Sequence, residues 1–276
     1  MLHLFSSGEI NQALVHAEHS VPLLRKACGS SDRQTLNAIS NLARCYTAVG
    51  KNKEAIQLLQ ECCPQMRDDA FVNFLLAQLQ LWDGKMKDYN ATRRWMLDFA
   101  ISNRDRLGSR PDTIERIVYI ACLAPLADAT QAVEITQALA RAAAIRKGSG
   151  ATMNFGHAED TRNFIAGMAL VRKGQPDQAI PYFDKALELN KTAREEWRGW
   201  DRCMVAFSKA LALHQMGRVA ESRALFEATE KSMVRWDSDE QPLRGSWAPS
   251  GERMTHWLAY KEAKNLIEHA IPALEK

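Results

Sequence analysis

The sequence predicts an all-α fold: a solenoid, or α-α superhelix, of about five to six antiparallel helix pairs closed by a C-terminal capping helix. Three observations predict it. A glycine followed five positions later by a small residue recurs as Gly8 with Ala13, Gly50 with Ala55, Gly174 with Ala179 and Gly217 with Ser222. Large apolar residues flank each of these pairs at helical spacing. No stretch carries the strict alternation of a half-buried strand.

Each element follows from this register. Two antiparallel helices approach closely only where side chains are small, so Gly167, Ala179 and their equivalents are expected at the crossings, with bulky neighbours filling the grooves beside them. The glycine between the helices suits the left-handed conformation that ends the first of them. Pro176 suits the first turn of a second helix, and Ser31 with Gln34 offers a capping box ahead of the first full pair. Gly84 marks a weaker unit, with Tyr89 where a small residue is expected. Asp69 to Trp82 and Lys87 to Ile101 read as one further pair. Asp112 to Ala127 and Ala129 to Ile145 read as another, its first helix ending near Pro125.

The expected organisation is a single domain over 1–276. It has a partial repeat at 1–30, helix pairs at 31–67, 68–103, 112–146, 157–190 and 200–234, and a capping helix at 251–270. Longer loops are expected at 102–111, 147–157 and 235–250. The capping helix places Met254, Trp257, Leu258, Leu266 and Ile267 on one side and keeps charged residues on the other. Met1 to Gly8 is too short for a full first helix, which leaves an apolar face on the next one. Self-association through this half-repeat, or a preceding segment of a longer protein, is the expectation.

The repeats resemble the tetratricopeptide repeat, though their spacing runs slightly beyond its usual ~34 residues. Leu42-Ala43, Tyr46, Ala55 and Leu59 take its signature places in one copy, and Ala166-Gly167, Leu170, Gly174, Ala179, Phe183 and Ala186 in another. Ala210, Leu213, Gly217, Ser222 and Phe226 take them in a third. Gly29 to Ala43 resembles the kinesin-light-chain variety: Asp32, Thr35, Leu36, Asn41, Leu42 and Ala43 match, while Arg33-Gln34 and Ser40 depart from it. From about Phe71 to Ile271 the chain is also similar to the C-terminal repeat region of planctomycete-type bacterial serine/threonine protein kinases. Leu81 to Tyr89, Arg94 to Leu97, Asp112 to Ile117 and Trp257 to Lys264 carry that likeness. The resemblance implies a kinase domain ahead of the repeats, with a membrane span between them in some members. It carries no kinase activity over to this chain.

Composition and motifs narrow the function. Thirty-six basic and 33 acidic residues give a net charge of +3, too balanced for the basic stripe that nucleic acid requires. Basic pairs such as Arg93-Arg94 read as a solvated face. No run of ~18 apolar residues occurs, so no membrane span is expected. The start lacks the regions of a signal peptide, which makes the cytoplasm the default compartment. Six cysteines without a C-x-x-C pair read as small buried hydrophobes.

Catalysis is not expected. Asp98-Phe99-Ala100 and Asn103-Arg104-Asp105 lack the partners of a kinase site. Gly148-Ser149-Gly150 is a loop, and His157-Ala158-Glu159 has no P-C-x-x-C after it. His16 and His19 share a helix face without a third ligand, so neither a metal nor a cofactor is expected.

A curved stack of helix pairs presents its first helices on the concave side, where a protein or peptide would bind. The repeat register places Asn37, Ser40, Asn41, Arg44, Phe74, Gln78, Phe164, Met168, Arg172, Phe207, Leu211 and His214 there. Asn41 stands out because a side-chain amide both donates to and accepts from an extended backbone, a purpose the resembling repeats also assign to this place. A bond from Asn41 to a neighbouring helix is the competing reading. For the apolar members, core packing is the stronger one. Only Arg44 and Arg172 bring charge, which favours apolar or backbone-mediated recognition over capture of an acidic terminus. Trp197, Arg198 and Trp200 form a further aromatic candidate.

Overall fold

The computed structural model describes residues 10–66, 69–102, 111–148, 159–190, 195–233 and 252–269, and these are helical without a strand. The helices are α1 (Ile10–Cys28), α2 (Arg33–Ala48), α3 (Asn52–Cys62), α4 (Ala70–Trp82), α5 (Met86–Ser102) and α6 (Pro111–Ala121). They continue with α7 (Ala129–Gly148), α8 (Glu159–Arg172), α9 (Pro176–Asn190), α10 (Glu195–Gln215), α11 (Val219–Ser232) and α12 (Glu252–His269). A 3-10 turn, Cys63–Gln65, follows α3. The chain divides into two compact units, residues 1–92 with 236–254 and residues 93–235 with 255–276.

The turns between paired helices are alike. Gly50, Gly84, Gly174 and Gly217 all have φ between 70 and 81°, a conformation that costs a residue with a Cβ. After each glycine the next N–H closes back on the preceding helix: Lys51 on the Tyr46 carbonyl, Lys85 on Gln80, Gln175 on Leu170 and Arg218 on Leu213, at 2.8–2.9 Å. Those bonds satisfy carbonyls that the helix end leaves open. Five residues beyond each glycine lies a side chain with no exposed surface: Ala55, Tyr89, Ala179 and Ser222. Ser222 fits this seat because its hydroxyl donates to the Ala210 carbonyl at 2.7 Å. Tyr89 is the departure. There an entire ring is buried where the other pairs use a small group.

In the first unit, α1 packs on α2 and α2 on α3 and, next, α3 on α4. Asp32, not Ser31, caps α2: its carboxylate accepts from the Gln34 N–H at 2.8 Å. Asp32 is the residue with extended backbone immediately before the helix, the position from which a short acceptor reaches the first turn. Arg25 meets Glu61 across α1 and α3, and Tyr46 donates to Glu18 across α2 and α1. Gly8 and the other residues of the expected partial repeat before Ile10 lie outside the described residues, while the rest of it forms α1.

In the second unit, α8 is the centre, packed on α9 and touching α6, α7 and α10. Its closest approach is at Gly167, where a Cβ would lie 2.6 Å from the Phe183 ring. Phe183 is fully buried and stands 6.3 Å from the Phe164 ring, which meets Tyr119 edge-on at 5.6 Å.

α6 ends at Ala121, short of the expected Ala127. Arg93 supplies the reason. Its Nη1 donates to the carbonyls of Ala121, Ala124 and Pro125 at 2.9–3.2 Å, holding the chain off the helical path just where Pro125 already disfavours it. Arg93 has no exposed surface, so the solvated-face reading holds for Arg94, which is exposed on Asp128, and fails for Arg93. Positive charge is tolerated inside because it faces the negative end of a helix dipole. Five cysteines are buried and Cys28 is exposed; all six are free thiols. The loop expected at 235–250, and most of those at 102–111 and 147–157, lie outside the described residues, as do Asn103 to Asp105 and His157.

The Gly167 contact is testable. Gly167→Val should lower the unfolding free energy by roughly 1–3 kcal/mol, because the added carbons have no room against Phe183. Chemical denaturation followed by circular dichroism measures it, and an unchanged midpoint would mean that the two helices are not held at this distance.

Candidate binding surfaces

α2 is wrapped on most sides. Thr35, Leu36, Ala38, Ile39, Ser40, Leu42, Ala43, Cys45, Thr47 and Ala48 are buried, which follows from a helix sandwiched between two others. Asn37 is exposed and Asn41 and Arg44 are half-buried. Their i, i+4, i+7 spacing makes one stripe. Arg44 Nη1 donates to Asn41 Oδ1 at 3.4 Å, and partial burial pulls the pKa of the Arg44 guanidinium below its ordinary value, against the opposing pull of Cys45 and Asp69. The amide N–H groups of Asn41 are not used by that bond. Of the expected residues in this helix the structure therefore brings three onto one polar edge, while Ser40 turns inward at 7% exposure.

The others are mostly interior. Phe74 and Gln78 on α4 are buried, as are Phe164 and Met168 on α8 and Phe207 and Leu211 on α10. Buried side chains of this size act as packing, in line with the stronger sequence reading for the apolar ones. Gln78 adds a polar member to that set. His214 is half-buried near the end of α10.

Arg172 has a different fate. Its Nη1 and Nη2 grip both oxygens of Glu262 on α12 at 2.5 and 2.7 Å, and its Nε donates to the Cys122 carbonyl at 2.9 Å. The side chain is 3% exposed. Beside it, the Tyr260 ring of α12 stacks on Phe226 at 5.7 Å and meets Phe207 at 5.4 Å and Trp257 at 5.3 Å. Tyr260 Oη donates to Glu230 at 2.6 Å, and burial, reinforced by Glu230, raises its pKa. The part of α12 beyond Thr255 thus covers the surface where sequence reasoning placed Arg172 and Phe207 as ligands for a peptide. The signal was available in Tyr260 and Glu262 on the apolar side of a terminal helix, but their partners lie far away in the chain.

A second feature of this unit was missed. An open cleft of about 470 Å³ lies among α6, α7, α8 and α9. Ala140 and Ala143 of α7 and Ala166 and Ala169 of α8 form its apolar part, with Arg162 and Lys173 at its rim. Arg146 also lines it and is held by Glu115 at 2.8 Å and Asp112 at 3.0 Å. Burial raises the Glu115 pKa, and Arg146 opposes that rise. Its readable trace was alanines on an exposed helix face. The side chains of Trp197, Arg198 and Trp200 lie outside what is described, as do Ser149 and Gly150, while Gly148, expected in a loop, ends α7. Among the described residues no group of three or more His, Cys, Asp or Glu could hold a metal, and no helix is long and apolar enough to cross a membrane.

Comparison with known proteins meets this geometry. The tetratricopeptide-repeat profile matches residues 2–68, and a second one matches 162–192. An uncharacterized protein of Methanocaldococcus jannaschii is 36% identical over 80 residues, which are 27% of this chain and 83% of that protein. The chain carries tetratricopeptide repeats in the two segments matched by the profiles. Two crystal structures of nearly identical TPR-like repeats of a Podosopora anserina putative kinesin light chain, one of them a single-substitution variant, are 17% identical to it. Both cover 83% of this tetratricopeptide-repeat chain and 89% or 90% of their own, with a TM-score of 0.34. That level of superposition adds nothing to what the helix pairs themselves show.

Removing the acid should expose the cost of the buried pair. Glu262→Ala strips both carboxylate oxygens from a guanidinium that water barely reaches. We expect a loss of roughly 2–3 kcal/mol, below the ~3–5 kcal/mol of a fully buried pair because Glu262 is itself partly exposed. Thermal unfolding of the variant checks it; a stability equal to wild type would make the contact incidental.

Proposed function

We propose that this tetratricopeptide-repeat protein is an interaction scaffold. It holds an extended segment of a partner protein along the exposed edge of α2 through Asn37, Asn41 and Arg44. Protein binding is the general role of these repeats. The observation that carries the finer reading is the stripe itself, since most of α2 is buried and the open edge beyond its first turn carries two amides and a guanidinium. Amides at i and i+4 lie about 6 Å apart along the helix, close to the two-residue repeat of an extended chain, ~6.5–7 Å. Each could pair with alternate peptide groups. In this reading the ligand is recognised through its backbone and the chain performs no reaction. Six free thiols suit work in a reducing compartment such as the cytoplasm.

The resemblance to repeat regions of planctomycete-type kinases supports a signalling setting, in which a kinase domain of the same full-length protein would be one partner. A second reading is self-association through α1, favoured by Val15 and Leu23, which are 53% and 67% exposed on that helix. Light scattering over a range of concentrations separates it from the scaffold reading.

Panning a displayed random-peptide library against the protein tests the α2 edge. Peptides selected on wild type should lose roughly tenfold in affinity for Asn41→Ala combined with Arg44→Ala, the sum of two hydrogen bonds worth ~0.5–1.5 kcal/mol each. The helical signal of the variant should stay unchanged. Equal affinity for both proteins would remove α2 from the proposed site.

A further inference from the structure

One of the ligand surfaces expected from the repeat register has an occupant within the chain. The register places Arg172 on α8 and Phe207 on α10 toward a ligand, and both meet α12 beyond Thr255. Their contacts show what the surface accepts. A helix turns about 100° per residue, so Tyr260 and Glu262 project to nearly opposite flanks of α12. On one flank the Tyr260 ring packs on Phe207 and Phe226, beside Trp257 of its own helix, and its hydroxyl donates to Glu230 of α11. On the other, both Glu262 oxygens accept from the Arg172 guanidinium. Ala263 lies between the flanks without exposed surface, so the backbone comes close there. The fastening differs from that of the repeat pairs, which meet through apolar seats such as Gly167 on Phe183. Here charge-assisted and hydroxyl bonds end on carboxylates that water reaches: the Glu262 side chain is 23% exposed and that of Glu230 25%. Parting them hydrates Arg172 and strands no charge in the interior. A separate observation shows that the fit is incomplete. Trp257 is 4% exposed and its indole N–H has no acceptor, which weakens the seated helix.

We propose that α12 beyond Thr255 is an exchangeable occupant that closes a docking site for a helix of a partner protein. The site is the surface of α8, α10 and α11 that α12 covers. Its partner helix copies the side chains that α12 presents: two aromatics three positions apart and a carboxylate two positions after the second. The aromatics take the seat on Phe207 and Phe226, and the carboxylate takes Arg172. Residues 233–251 join α11 to α12, so a displaced α12 stays tethered and returns when the partner leaves. The site shares no residue with the α2 edge and does not depend on it.

The probe is a labelled synthetic peptide of residues 255–269, and the control is the same peptide carrying Glu262→Lys. In the wild-type chain the tethered α12 competes at an effective concentration on the order of millimolar, so the probe binds weakly. Glu262→Lys in the full chain sets two cations against each other and unseats α12. Fluorescence anisotropy should then show the probe binding this variant at least roughly tenfold more tightly than wild type, and the control at least roughly tenfold less tightly than the probe. Arg172→Glu in the chain should reverse the preference between the two peptides, which mere loss of folding cannot do. If Arg172→Glu does not fold, the comparison of the two peptides on the Glu262→Lys chain decides the matter. In wild type, saturating probe should speed hydrogen exchange at the amides of 255–269 and leave those of α8 to α11 protected. Asn41→Ala with Arg44→Ala should change none of this. No binding of the probe to the Glu262→Lys chain, equal binding of both peptides there, or exchange over 255–269 that the probe leaves unaltered would make α12 a permanent part of the fold and overturn the proposal.

Discussion

The structure depends on how closely two helices can lie together. At Gly167 the α8 backbone rests against the Phe183 ring at a distance that leaves no space for a Cβ. Ala179 holds a buried place on the facing helix of this pair, and Ala55 and Ser222 hold the same place in two other pairs. Because the seats are small, the large residues beside them interlock, and the glycine turn that precedes each seat sets where the second helix begins. A repeated local geometry therefore replaces a single large core, which is why each unit can be assembled from short-range contacts.

Polar groups enter this scheme where helix ends must be closed. Arg93 gathers three carbonyls at the end of α6, and Arg172 joins the end of α8 to the Cys122 carbonyl and to α12. Both are charges taken out of water, and both are compensated by several acceptors at once. They serve architecture, whereas Arg44 is only half-buried. That difference in burial separates the arginines that hold the fold from the one proposed as a partner contact on the α2 edge.

Much of this was legible in the residues. A left-handed turn admits glycine and little else, so Gly50, Gly84, Gly174 and Gly217 announced the pair boundaries, and the small residue five places on announced the crossing. The polar edge of α2 was legible from spacing: Asn37, Asn41 and Arg44 recur at i, i+4 and i+7, off the face that carries Leu36, Ile39, Leu42 and Ala43. What was not legible required three dimensions. Phe207 and Arg172 sit on the expected face of their helices, but Tyr260 and Glu262 arrive there from α12, and helical periodicity says nothing about which distant segment covers a face. Arg93 beside Arg94 reads as a surface pair until the end of α6 is placed over it. The cleft involves side chains of four helices, so no single segment displays it.

The close approach of paired helices is tested most directly by a double-mutant cycle between Gly167 and Phe183, using Gly167→Val, Phe183→Leu and the two together. If the glycine is present because the ring occupies the space of its missing side chain, Phe183→Leu relieves the clash and the two changes couple by roughly 1–2 kcal/mol, with the double variant more stable than the sum of the single losses. Strict additivity would contradict the account, because it would mean that the two residues do not share a seat.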